Sequence, residues 1–196
     1  IRGHIFAGSW MAWKNPVGQI PSQHWHLVKK NDANHYTASK YAVSFMGVLF
    51  DWISQPSTAC GLLLVAMPGV GDVGKLAIDA VNTELDAEPI ARILHPALPP
   101  LAKLDDNGLL SPPHILLSRI QIDGKEVFTL TGDAQPMTPE GQHEIAMAVL
   151  DLFEGGEVLV LAGMSAQAER KDIFTITSSS NYRIDLESMG VDVRRD

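Results

Sequence analysis

The sequence has one cysteine, no apolar run long enough to span a bilayer and no excess of basic charge. Each absence removes a class of function. A lone thiol, Cys60, cannot build a disulfide framework, so a reducing compartment and a cytoplasmic location are expected. The longest apolar stretches, around 41–53 and 61–67, fall short of the ~18 residues a spanning helix requires. With no charged-then-apolar leader either, no membrane partner is expected. A formal charge of -8 and a pI near 5.3 leave no basic face to displace counterions from phosphates, so no nucleic-acid partner is expected. What is present is ordinary for a folded chain: 196 residues, 45% hydrophobic and 19% charged, enough for one domain with an appendage.

The charge is unevenly placed. Residues 1–57 hold Arg2, Lys14, Lys29, Lys30 and Lys40 against Asp32 and Asp51, a balance of +3, so residues 58–196 carry -11. All four tryptophans and four of the seven histidines also precede position 57. The shift sets a boundary near Pro56-Ser57, with 1–57 as an extension holding one helix and 58–196 as an α/β domain. The helix is expected over Tyr36–Ile53, where Tyr41, Val43, Phe45, Met46, Leu49, Phe50 and Ile53 make a broad apolar side.

Beyond the boundary the pattern is regular. The apolar run Leu62–Met67 reads as a strand buried on both faces, followed by a glycine turn over 68–74 and a helix over 75–86. A second strand over 89–95 then implies a parallel pair joined by a right-handed crossover. Asp123-Gly124 lies between two β-rich runs and predicts a hairpin. Thr138-Pro139-Glu140 reads as a cap, a proline at the first helical position and an acid at the positive end of a helix running to Phe153. Strands over 158–163 and 173–178 and a short serine-capped helix over 181–189, stopped by Gly190, follow.

The chemistry-bearing stretch is Met67-Pro-Gly-Val-Gly-Asp-Val-Gly-Lys75. Gly69, Gly71 and Gly74 match a dinucleotide-binding spacing, and Gly69 to Lys75 match the opening of a phosphate-binding loop. Both matches are incomplete. Leu76 replaces the hydroxyl that would hold magnesium, and Asp72 sets a carboxylate where phosphate charge would lie. The second strand ends in His95 rather than in the acid that binds ribose hydroxyls. The competing reading is structural: glycines permit a tight turn and close packing of helix on sheet.

Other constellations are weaker. Tyr36 and Lys40 resemble the Tyr-x-x-x-Lys pair of short-chain dehydrogenases, in which the lysine lowers the tyrosine pKa, but the upstream glycine-rich cofactor turn is missing. His24 and His26 flank Trp25 with Asp32 and His35 nearby, a pattern shared by loop histidines and metal pairs. Ser111, Ser118, Ser165, His114, His143 and Cys60 show no spacing that sets a base beside a nucleophile. No catalytic residue, metal ligand or cofactor is assigned, and a non-enzymatic protein is expected.

Four blocks carry a family resemblance: Met67 to Lys75, Ala97-Leu-Pro-Pro100, Leu130 to Gln142 (Leu-Thr-Gly-Asp-Ala-Gln-Pro-Met-Thr-Pro-Glu-Gly-Gln) and Val158 to Gly163. In this order and spacing the chain resembles the proteasome assembly chaperone 2 family, also labelled an ATP-grasp superfamily, from about residue 58 to 196. The resemblance implies a three-layer α/β sandwich with a mostly parallel central sheet and one β-hairpin. It also implies homo-oligomers and a role in binding proteasome-type α-ring subunits or other protein partners. The superfamily label makes a nucleotide- or phosphate-binding enzyme using Gly69, Gly71, Gly74 and Lys75 the alternative, and a dehydrogenase fragment using Tyr36 and Lys40 the second. Some relatives dock through a hydrophobic-Tyr-x tail; Val193-Arg-Arg-Asp196 does not match it. Family members continue past the helix at 181–189, so a C-terminally incomplete domain is expected.

Overall fold

A computed structural model describes residues 42–45, 47–54, 61–104, 107–153, 156–165 and 173–194. Strands β1 (Ala42–Phe45) and β2 (Val48–Trp52) stand where one helix was expected. Phe45 pairs with Val48, and Gly47 at φ 85° takes a left-handed conformation that a helix interior excludes. The alternation of buried Val48 and Phe50 with half-buried Leu49 and Asp51 is a strand's period of two. The expected helix is therefore a hairpin over the described part of that segment; Tyr36, Lys40, His24, His26, Asp32, His35 and Cys60 lie outside the described residues.

Seven strands form one sheet in the order β1-β2-β4-β7-β8-β3-β9, with β3 at Leu62–Ala66, β4 at Glu88–Leu94, β7 at Ile115–Ile122, β8 at Lys125–Gly132 and β9 at Glu157–Val160. Only β3 with β8 and β3 with β9 pair in parallel; the other pairings are antiparallel. The sheet is mixed and mostly antiparallel, which corrects the expected mostly parallel one. The reason is the β7–β8 hairpin. It inserts between β3 and β4, so these two strands point the same way without pairing. Asp123 at φ 51° and Gly124 at φ 74° make the tight turn that the Asp-Gly pair predicts. Because β2 pairs with β4, strands from both sides of position 57 share the sheet.

Helix α1 (Val73–Glu84) connects β3 to β4, and α2 (Pro139–Leu152) connects β8 to β9. Along β8, Thr129 donates its hydroxyl to Asn82 Oδ1 of α1 at 2.8 Å, whereas the adjacent Phe128 packs edge-on against Phe153 at the end of α2, with centroids 5.3 Å apart. Consecutive strand residues thus meet different helices. The main core lies on the α2 side. Leu63, Ile93, Ile115, Leu117, Phe128 and Ile145 are fully buried there, and each contributes about 1.5–3 kcal/mol from burial of its side chain.

Between β4 and β7 a short ribbon, β5 (Lys103–Leu104) and β6 (Leu110–Ser111), is set apart from the main sheet. Near the end of the described chain, the strand expected over 173–178 is reduced to one parallel bridge between Thr175 and Val193. Among the described residues, only the short segment around Val193 lies beside it. Helix α3 (Ser180–Ser188) follows the expected serine cap, with Ser179 Oγ accepting from the Tyr182 N–H.

Candidate functional site

Because β3, β4, β8 and β9 all point the same way, their carboxyl ends and the loops that follow converge on one end of the sheet. The glycine turn lies there. After β3 the chain makes a single 3₁₀ turn, Val70–Asp72, and then enters α1. Gly71 at φ 63° and Asp72 at φ 50° reverse the backbone, a conformation natural to glycine and tolerated by aspartate. The turn closes on itself: the Asp72 N–H donates to the Gly69 carbonyl at 3.1 Å, and the Asp72 carboxylate accepts from the Gly69 N–H at 3.2 Å.

These contacts bear on anion binding. A phosphate loop offers unpaired N–H groups, and here the Gly69 N–H is held by the protein's own carboxylate. Lys75 extends along its helix to Asp79, Nζ to Oδ2 at 2.6 Å, an i,i+4 ion pair. A crevice of about 310 Å³ opens between the turn and the segment after β9, walled mainly by Met67, Val70, Val73, Val160 and Met164. Gly69 and Gly74 line it, while Gly71 and Lys75 do not. Gln135, in the loop after β8, donates to the Pro68 carbonyl and ties that loop to the turn.

Gly74 has a demanding role in packing. A Cβ there would stand 2.2 Å from the Leu161 carbonyl oxygen. Across the crevice, a Cβ on Gly163 would stand 2.3 Å from the Val70 carbonyl oxygen. The two glycines let the start of α1 and the chain leaving β9 meet backbone to backbone.

A second cluster escaped the sequence reading because its members are far apart in the chain. His95, at the end of β4, has a side chain only 6% exposed, and its Nε2 lies 2.7 Å from Glu144 Oε2 of α2. Its Nδ1 accepts the Ala97 N–H at 3.0 Å, which makes the ring a neutral imidazole that donates from Nε2 to Glu144. Gly141 packs against the same place; a Cβ there would lie 2.3 Å from Ala97 Cβ and 3.0 Å from His95 Cε1. The Ala97-Leu-Pro-Pro block is the loop so clamped, with Leu98 buried beneath it. The only sequence signal was His95 standing where a dinucleotide site would hold an acid.

Among the described residues no group of three or more His, Cys, Asp or Glu side chains is placed to hold a metal ion. No described helix is long and apolar enough to cross a membrane.

The fold and this end of the sheet define a mixed α/β domain with a crevice walled by backbone and aliphatic groups. The PAC2 family profile matches residues 63–193, and the chain belongs to that family. Among solved structures, the fold is similar to PbaB of Pyrococcus furiosus, described as an archaeal proteasome activator. The TM-score is 0.66 at 19% identity, covering 78% of this chain and 68% of that one. It is also similar to PbaA of Pyrococcus furiosus, described as an archaeal homolog of proteasome-assembly chaperone. Here the TM-score is 0.58 at 22% identity, covering 75% of this chain and 60% of that one. A second PbaA crystal structure gives 0.57 at 25% identity, with 75% and 64% covered. The chain thus spans between 60 and 68% of the length of these proteins. Comparison with curated protein sequences gives no match.

Proposed function

We propose that this chain is a non-enzymatic protein-binding factor that acts in the assembly of proteasome-type rings. The observation that carries the proposal is PAC2 family membership over residues 63–193, supported by fold likeness to an archaeal proteasome activator and an archaeal assembly-chaperone homolog. Its partners are the α-ring subunits, it works as a homo-oligomer, and it acts in the cytoplasm. The helices that meet alternate residues of β8 are the outer layers of a three-layer arrangement about the mixed sheet. The test is capture of proteasome α subunits on the immobilised chain, with light scattering on the eluted complex. Retention of α subunits is expected; a strict monomer that retains none removes the proposal.

A second reading, phosphate or nucleotide binding at Gly69, Gly71, Gly74 and Lys75, is favoured by one observation, the start of the twelve-residue α1 just after Gly69 and Gly71, with Gly74 and Lys75 in its first turn. Isothermal titration with ATP, ADP and inorganic phosphate tests it. Heat of binding below millimolar ligand would support it, and none at millimolar ligand ends it.

A further inference from the structure

We infer that Asn107 is a self-modifying site: it deamidates through a cyclic imide formed with Gly108 and so places a new carboxylate on the β5–β6 ribbon. The chemistry needs a side-chain amide beside a main-chain nitrogen that can reach it. The Gly108 nitrogen, losing its proton to base, attacks the Asn107 Cγ carbonyl, and the side-chain nitrogen leaves as ammonia. A five-membered succinimide results. Water then opens the ring and the glycine nitrogen regains its proton. Opening at Cγ leaves aspartate in a normal backbone, whereas opening at the main-chain carbonyl leaves isoaspartate, with the chain running through Cγ. One amide and one water thus give one carboxylic acid and one ammonia, with no oxidant or reductant.

Sequence and structure select this asparagine. Of the six in the chain, only Asn107 precedes a glycine, the one residue with no side chain to crowd the attack. Both residues are exposed, and a Cβ at position 108 would meet nothing within 4 Å, so base and water have access. Asn82 and Asn181 are held instead. The Asn82 side chain accepts the Thr129 hydroxyl at 2.8 Å and is followed by branched Thr83, while the nitrogen after Asn181, that of Tyr182, donates to Ser179 Oγ. The ribbon also yields easily. It has two register pairs, Lys103 with Ser111 and Leu104 with Leu110, and these leucines are 68 and 73% exposed; a ladder that short opens at little cost. Asp123-Gly124 makes the contrast within the same molecule. Its turn closes the long β7–β8 ladder, paired from Ile115–Gly132 to Ile122–Lys125, and fixes both residues at φ 51° and 74°. Its ionised carboxylate is moreover a poor electrophile beside a neutral amide.

The product alters the ribbon in two ways. A new negative charge joins the acidic run Asp105-Asp106-Asn107, on an element whose tie to the main sheet is an ion pair, Lys103 Nζ to Asp133 Oδ1 at 2.6 Å. The added carboxylate competes with Asp133 for that ammonium. Isoaspartate further lengthens the main chain by one carbon between Leu104 and Leu110, the residues that pair across the ribbon, and so shifts their register. The ribbon is thereby rewritten as the chain ages, and the seven-stranded sheet is left as it was.

Incubation of the full chain for days in mildly alkaline and mildly acidic buffer provides the test, read by ion exchange and peptide mass mapping. A more acidic form should accumulate, faster in alkali because the attacking nitrogen must lose its proton. Its mass should rise by the difference between OH and NH₂, the change should map to Asn107, and isoaspartyl methyltransferase should label part of it. Asn107→Gln, which would need a six-membered ring, should stay unmodified with the circular dichroism of the parent, and fresh Asn107→Asp should elute with the aged parent. In the folded chain the reaction should be no more than about fivefold slower than in urea, since opening the ribbon costs little. No acidic form, a form that maps to another residue, or one that persists in Asn107→Gln would overturn the assignment. A far greater slowing by the fold would also overturn it, by showing that the ribbon holds Asn107 against ring closure. None of these outcomes depends on partner binding.

Discussion

The two crossover helices begin at the same end of the sheet, each six residues after its strand ends and each with a glycine in its first turn, yet they are held by different means. Helix α2 has a side-chain cap: Thr138 Oγ1 accepts the Gly141 N–H at 3.1 Å, and Pro139 takes the first position. Its glycine faces a methyl group, Ala97 Cβ. Helix α1 has no side-chain cap on its own first turn, and its glycine faces a main-chain carbonyl, that of Leu161. A side chain can be trimmed to make room, whereas a strand-end carbonyl moves only with the strand. The start of α1 is therefore fixed by backbone contact, and the start of α2 by side-chain chemistry that tolerates substitution.

The largest effect should come from the contact that cannot relax. Gly74→Ala sets a Cβ 2.2 Å from the Leu161 oxygen. A loss of about 3 kcal/mol or more is expected, since overpacking costs ~1–3 kcal/mol even where side chains can shift. Urea unfolding reads this directly. A midpoint within error of the parent would mean that α1 and β9 do not pack as described.

Gly141→Ala tests the other helix. Its Cβ meets Ala97 Cβ at 2.3 Å and the His95 ring at 3.0 Å, so about 2 kcal/mol of destabilisation is expected. Here the opposing group can be removed: Ala97→Gly in the same chain should recover about half, and a double-mutant cycle measures the coupling. Zero coupling would contradict the contrast between the two starts. Thr138→Ala should cost about 1 kcal/mol through loss of the cap, with Thr138→Ser close to the parent in the same urea titration.

The start of α2 was legible in the sequence because its signals are local: cap, proline and acid follow one another. The β7–β8 hairpin was legible for the same reason, through Asp123-Gly124. The β1–β2 hairpin was not, although Gly47 lies between runs rich in Val, Phe and Trp; the apolar residues around it are dense enough to match a helical stripe. Strand partners were beyond reach, because pairing of β3 with β8 and β9 is decided by where a later hairpin inserts. At the candidate site, the sequence supplied the glycines and the two flaws in the cofactor readings, Leu76 and Asp72. It could not show that Gly74 answers to Leu161 or that His95 meets Glu144, since each contact joins elements brought together only by the fold.

The smallest effect is expected at Asp72, and it separates the structural role of the turn from a chemical one. Replacing this residue with glycine removes the 3.2 Å bond from the exposed Gly69 N–H, a loss of ~0.5–1.5 kcal/mol. It also removes a non-glycine residue from φ 50°, which returns ~0.5–1 kcal/mol in a turn of this hand. The two terms oppose, so Asp72→Gly should lie within about 0.5 kcal/mol of the parent in urea. The same variant frees the Gly69 N–H and removes a negative charge from the start of α1, the two changes that most favour an anion there. If the turn serves packing alone, titration with phosphate or ATP should show no binding in parent or variant. Binding that arises only in Asp72→Gly would show a phosphate loop held shut by its own aspartate, and α1 would then differ from α2 in function as well as in construction.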